Sequence, residues 1–353
     1  MKTKFPGSKG WAAKVFGLAA LAAVIAAPAR ADDVADFYSG KTLTIEVGYG
    51  PGGGYDITTR LFAQYFGDHI PGKPTVIVQN VPGGGGLKVA NAIYNTVSKD
   101  GLTLGVFTAD VALESLYGDK QALFAADKFA WIGSMDTDVL SCGVWKGAGV
   151  GIKTLPDLIA AKKTVSFGST GPGTDPSLYP TFFKNALGAP VKVVSGYNGT
   201  REIMLAMERG EMDGTCGLFE SSVRGSYMQQ FKSGDLNIFV QIAFGEKSPL
   251  FPNATPIMDV IKTDEMRKVA QLVFGPSLIT RPLAAPPGTP SERVAALRTA
   301  LIETAKDPRT IEAGKPMQIT LQAKSGEEVT RRFGEFLATP PDLVKKAYAY
   351  THN

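Results

Sequence analysis

Two glycine clusters in the sequence have the make-up of an anion socket. The first is Gly48-Tyr49-Gly50-Pro51-Gly52-Gly53-Gly54-Tyr55-Asp56, with five glycines in seven residues. A β-rich pentapeptide, Leu43–Val47, runs into it, and a helical pattern with Ile57, Leu61, Phe62, Tyr65 and Phe66 on one face leaves it. Glycine permits positive φ and lets a guest approach the backbone without meeting a Cβ. Asp56 stands where a helix N-cap belongs, and a helix N-terminus carries roughly half a positive charge that favours an anion. The second cluster, Asn80-Val81-Pro82-Gly83-Gly84-Gly85-Gly86, sits between a strand at Thr75–Gln79 and a helix at Leu87–Val97.

Hydroxyl, amide and acid groups follow other predicted strands. Thr108 and Asp110 come after Leu102–Phe107. Ser169, Thr170, Gly173 and Thr174 lie in the loop after Thr164–Phe167, where hydroxyls either cap a helix or donate to a carboxylate; the second use is adopted. Tyr197, Asn198 and Thr200 follow Val191–Val194. Tyr49 and Tyr55 are pocket walls or packing residues. Asp56 caps its helix, touches ligand or does both, and Arg60, one turn on, pairs with an acid. Asp213 is structural or the partner of an amine-bearing ligand, and Glu220 admits either role.

Other chemistries find little support. The two histidines, His69 and His352, leave no base placed to serve a serine nucleophile and no set for zinc. Gly48–Gly53 satisfies GxGxxG, but Gln79 and Asn80 stand where a dinucleotide site needs an acid. No metal and no cofactor are therefore expected. Lys2, Lys4, Lys9 and Lys14, an apolar Val15–Ala27 and Ala29-Arg30-Ala31 read as an export signal cut near Ala31. Five of the 37 basic residues precede Asp32, leaving 32 against 33 acidic ones, so nucleic-acid binding loses its electrostatic basis. Cys142 and Cys216 form one disulfide or remain two buried thiols, and the sequence leaves both open.

Alternation of strand, glycine loop and helix predicts α/β architecture with mainly parallel sheets and ligands at the strands' carboxyl ends. Residues 1–31 are the leader. Residues 32–138 and 241–353 form a discontinuous first domain around a second, 139–240, with hinges near 138–141 and 239–242. Val273–Ile279 reads as a strand. Thr154 and Ser325 begin capping boxes, and Thr289 caps the helix entered through Pro290.

The ordered set Gly50-Pro51-Gly52-Gly53 with Asp56 and Arg60, Asn80–Gly86, Asp100-Gly101, Phe167–Gly171, Gly173-Thr174, Tyr197-Asn198-Gly199, Gly210–Asp213 and Ala285–Pro290 resembles the solute-binding proteins of tripartite tricarboxylate transporters, the Bug family. The resemblance spans nearly all of the chain after the leader. It implies a two-lobed, type II periplasmic-binding-protein fold and a monomeric periplasmic receptor that passes a small carboxylate to a membrane permease. The family usually has Lys where Asn198 stands and commonly His near Leu178. A secreted hydrolase using Ser169 and a ligand-sensing partner of a membrane sensor kinase are the alternatives.

Overall fold

The computed structural model describes residues 1–3, 29–148, 151–244 and 247–352. Most of the predicted leader, residues 4–28, lies outside the described residues. Among the described residues, twelve strands form two six-stranded sheets. They are β1 (Thr42–Val47), β2 (Thr75–Asn80), β3 (Thr103–Val106), β4 (Ala130–Asp136), β5 (Leu140–Trp145) and β6 (Val165–Ser169). The rest are β7 (Val191–Ser195), β8 (Gly214–Phe219), β9 (Leu236–Ile242), β10 (Thr255–Pro256), β11 (Thr280–Ala285) and β12 (Lys324–Ser325).

The first sheet has the order β12-β4-β11-β3-β1-β2 and the second β10-β9-β5-β8-β6-β7. In the second, β5 alone runs against the others. In the first, β11 and β12 oppose β1 to β4. Most strands in each sheet thus share a direction, as helical crossovers between them require, and the two-sheet α/β expectation holds.

Burial follows the pleat. Leu43, Ile45 and Val47 of β1 point inward and pack with Leu61, Phe62, Phe66, Leu297 and Leu301 of the covering helices. Phe167 and Phe239 meet Phe182 and Phe183 beneath the second sheet.

The chain crosses between sheets later than its sequence suggests. Every residue from Leu236 to Ile242 is in β9, with Ile242 opposite Leu140, so 239–242 is sheet and not hinge. The second sheet then continues to Thr255–Pro256. Val273–Ile279 is not a strand: it finishes helix Asp264–Phe274 and turns through a 3₁₀ segment at Gly275–Leu278. A short apolar run cannot tell a buried strand from a buried helix end. The return strand is β11, where Pro282 hid the β signal. The last helix, Pro341–Thr351, packs on Asp175–Leu187 and Asp264–Phe274, with Phe182 and Tyr350 rings 5.9 Å apart.

Cys142 and Cys216 are joined in a disulfide between the neighbouring strands β5 and β8. The bridge ties positions 74 residues apart, and loop-closure entropy sets its stabilising effect at up to about 4 kcal/mol. Replacing both cysteines with serine should lower the unfolding free energy by about 2–4 kcal/mol. A urea midpoint that is the same with and without the bridge would refute this.

Candidate functional site

The carboxyl ends of β1 and β3 face those of β6 and β8, and the loops leaving them meet. Gly50 N–H donates to the Asn198 carbonyl at 2.8 Å, a main-chain bond from one lobe to the other. A Cβ on Gly171 would lie 2.9 Å from Gly85 N and 3.0 Å from Gly84 C. One on Gly173 would strike the Glu114 carboxyl at 2.5 Å. Within the first lobe, a Cβ on Gly48 would come within 2.7 Å of Gly86 Cα. Gly48 and Gly171 supply contact between bare backbones, and Gly173 leaves room for the Glu114 carboxyl.

Helix Gly54–His69 starts from Gly53, so the N–H groups of Gly54, Tyr55 and Asp56 lack intrahelical acceptors. Asp56 is not the N-cap expected from sequence. It is the third residue of the helix, within its first turn, and its carboxylate takes bonds from Gly52 N–H (2.8 Å), Arg60 Nε (2.8 Å) and Asn80 Nδ2 (2.9 Å). Asp56 therefore braces both glycine loops, and Arg60 pairs with it as expected. Gly83, Gly84, Gly85 and Gly86 all have positive φ, and a 3₁₀ turn covers Gly84–Gly86.

Tyr49 and Tyr55 pack against each other in a tilted arrangement with ring centres 4.6 Å apart, and Tyr55 meets Phe219 of the second lobe at 5.6 Å. The Tyr49 hydroxyl accepts from Thr108 N–H at 3.3 Å, and Thr108 Oγ1 donates to Asp110 Oδ2 at 2.9 Å. Across the cleft, Thr174 Oγ1 donates to the Gly171 carbonyl (2.7 Å), while Thr170 Oγ1 donates to Thr174 Oγ1 (3.3 Å). Ser169 Oγ accepts from Gly171 N–H at 3.2 Å, so these hydroxyls order their own loop and Thr174 makes no side-chain cap. Asn198 Nδ2 is held by Glu202 (3.0 Å), and Tyr197 packs on Gly168.

Asp213 does not reach the cleft. It accepts from Ser166 N–H (2.7 Å) and Oγ (2.8 Å) just before β8, at the end of the sheet away from Ser169. Its placement is structural: an acid that precedes a strand belongs at the amino end.

A cavity of about 20 Å³ lies between the lobes, lined by Tyr49, Gly53, Tyr55, Thr170, Asp175 and Thr200 among others. That space holds about one water. Beside it, a cavity of about 130 Å³ is bounded by Gly52, Gly54, Ser221, Tyr227 and Met317. A dicarboxylate needs more room than the first offers, so its entry requires the lobes to part.

Arg281 of β11, buried completely, locks this junction. Its Nη1 pairs with Asp136 and, at 3.3 Å, with Asp138; its Nη2 donates to Ser221 Oγ at 3.2 Å. The guanidinium stacks 3.8 Å over Phe219. Burial pushes the Asp138 carboxyl up to about 6 despite Arg281, and pushes Asp175 up to about 7. Such groups bind more protons folded than unfolded, so their contribution is full below about pH 4 and is lost as pH rises through 6 to 7. The unfolding free energy should therefore be larger at pH 5 than at pH 8, by about 1–4 kcal/mol, and the melting temperature correspondingly higher. A thermal scan that is flat or rises over that interval would contradict this.

Neither histidine serves Ser169: His69 pairs with Asp307 at 2.9 Å and His352 with Glu114 at 3.1 Å. The hydrolase alternative therefore gains no support from either histidine.

The chain matches the description "Tripartite tricarboxylate transporter family receptor" over residues 70–338. It belongs to that family. As a member it is a solute receptor of a periplasmic class, and among the described residues no helix is long and apolar enough to cross a membrane. No curated protein matches the chain. The solved structure of the periplasmic binding protein BugD is similar at 19% identity, covering 88% of this chain and 98% of its own, with a TM-score of 0.69. MatC from Rhodopseudomonas palustris, solved with bound malate, aligns at 19% identity over 86% of this chain and 99% of its own, TM-score 0.64. A protein from the same organism, solved with adipate, gives 18% identity over 87% and 97%, TM-score 0.65. These likenesses establish the two-lobed periplasmic-binding-protein fold.

Sequence reasoning missed Arg281, Asp175 and Phe219. Asp175 carried one signal, an acid between Thr174 and Pro176 at a helix start, which reads as a capping residue. Arg281 carried none, because its partners Asp136 and Asp138 lie more than a hundred residues away in the chain.

Proposed function

We propose that the cleft captures a small carboxylate for a tripartite-type permease. The orphan N–H groups of Gly54–Asp56 and the bare backbone of Gly83–Gly86 take the carboxylate. The second lobe closes over it through Ser169–Thr174 and Tyr197–Thr200, with Tyr49, Tyr55 and Thr108 as walls. The supporting observation is the meeting of glycine backbones from both lobes. It leaves main-chain donors facing a guest with no side chain between, and it suits reversible capture of an anion. Relatives of this fold solved with malate and adipate favour the same ligand class.

The receptor acts as a monomer, without enzymatic activity, after export and cleavage near Ala31. We place the lobe crossings near 137–139 and 277–280, with the C-terminal helix riding on the second lobe. Calorimetric titration of protein refolded free of co-purified ligand, against mono-, di- and tricarboxylates, tests the reading. At least one should bind with a Kd of about 10 µM or tighter. Silence across the panel would remove it.

A further inference from the structure

The cleft is acidic where an anion receptor has reason to be neutral or basic. Asp110, just after β3, and Asp175, first residue of helix Asp175–Leu187, come from opposite lobes and are 3% and 5% exposed. Asp175 lines the cavity of about 20 Å³, with its Oδ2 only 2.5 Å from where a Cβ on Gly217 would stand. Asp110 uses Oδ2 to accept from Thr108, but its Oδ1 is buried with no hydrogen-bond partner among the described residues. The Tyr179 hydroxyl is buried and unpartnered in the same way.

These groups share one neighbourhood. The two carboxylates act on each other, and both raise Tyr49, Tyr55 and Tyr179. Among the described residues, the structure records no cation compensating either of them. Arg281, which reaches Tyr55, is committed to Asp136 and Asp138, and His352 is bound to Glu114 beside Tyr117. Burial holds the Asp110 carboxyl well above the usual range, with Asp175 adding to the rise. Two buried acids without a counter-charge are costly, and a cation between them removes most of that cost.

Resting on the carboxylate reading of the same cleft, we propose that the ligand is zwitterionic. Its carboxylate sits on the glycine-loop amides, and its protonated amine sits between Asp110 and Asp175. An ammonium has three N–H donors; they are assigned to the Asp175 carboxylate, which lines the cavity, and to the unpartnered Asp110 Oδ1 and Tyr179 oxygen, Asp110 being tied to the cavity wall through Thr108 and Tyr49. The acids select the amine, and the amides hold the anion.

Matched ligand pairs test this: propionate against β-alanine, and glutarate against glutamate, titrated by calorimetry at pH 7.5. The amine-bearing member of a pair should bind at least tenfold more tightly. Asp175→Asn and Asp110→Asn should each cut that ratio at least tenfold, and should tighten glutarate by removing repulsion. Both variants are isosteric and lose a buried charge, so melting curves should show them at least as thermostable as the parent. Should either fail to fold, the parent's own ratio decides. Equal or tighter binding of glutarate than glutamate, or a ratio unmoved in both variants, overturns the proposal while leaving the carboxylate reading in place. Failure of all four compounds overturns the two together.

Discussion

Replacing Arg281 with methionine should lower the unfolding free energy by about 3–5 kcal/mol at pH 7.5, the cost of breaking a buried ion pair from one side. The side chain is 0% exposed, and its removal leaves Asp136 and Asp138, 2% and 7% exposed, without an ion-pair partner among the described residues and with only the more distant Lys324 acting on Asp136. Phe219 also loses the guanidinium stacked on it. Arg281 has a φ of 49°, a left-handed conformation that costs a non-glycine residue about 1 kcal/mol or more. The charge pair holds it there. Because both acids are pushed up by burial, protonation relieves them, and the deficit should shrink when the measurement is repeated at pH 5. Adding Asp136→Asn to the methionine variant should recover part of the loss at pH 7.5, since it removes the stranded charge. Urea titrations at the two pH values decide the matter. A loss below about 1 kcal/mol, within the range of ordinary surface substitutions, would mean that the triad is not what holds the junction.

The sheets were legible because their signals are local. In β1, alternation of Leu43, Ile45 and Val47 with polar residues gives strand, face and burial at once. The Thr154–Asp157 capping box is read from four residues and is found intact. The glycine loops were legible for the same reason, since a run such as Gly83–Gly86 has little use except positive φ or close approach. What stayed hidden depends on pairs distant in the chain. Asp56 reads as a cap because nothing local shows that Asn80 and Gly52 converge on it. Asp213 and Asp175 have similar sequence settings, each an acid near the boundary of an element. One precedes a strand and ends at the far edge of its sheet; the other opens a helix after a strand and ends in the cleft. Strand direction makes the difference, and it is fixed only when pairing is known. The return to the first sheet at β11 was missed because Pro282 runs against strand preference and Arg281 takes a positive φ that only its distant charge partners hold.

Gly171→Val should weaken carboxylate binding at least 100-fold, about 2.7 kcal/mol, while shifting the melting temperature by only a few degrees. The added Cβ would press on Gly85 N and Gly84 C, and both are backbone atoms with no side chain to swing aside. Those atoms belong to the other lobe, so the clash exists only when the lobes meet and disappears when they part. Each lobe therefore keeps its own packing, and what is lost is the closed arrangement. A receptor that cannot close forfeits the contacts of one lobe and the exclusion of water from the ligand. The substitution also imposes strain, because Gly171 has a φ of 157°. Gly188→Ala controls for that: Gly188 has a φ of 75°, nothing lies within 4 Å of its added Cβ, and it ends the helix begun at Asp175. Backbone strain alone predicts that both variants bind alike and melt earlier. Interlobe obstruction predicts that only Gly171→Val loses ligand, with small-angle scattering showing a radius that no longer contracts when carboxylate is added. Wild-type affinity in Gly171→Val would show that ligand is held without the two glycine backbones coming together, and the mechanism of capture would have to rest on the first lobe alone.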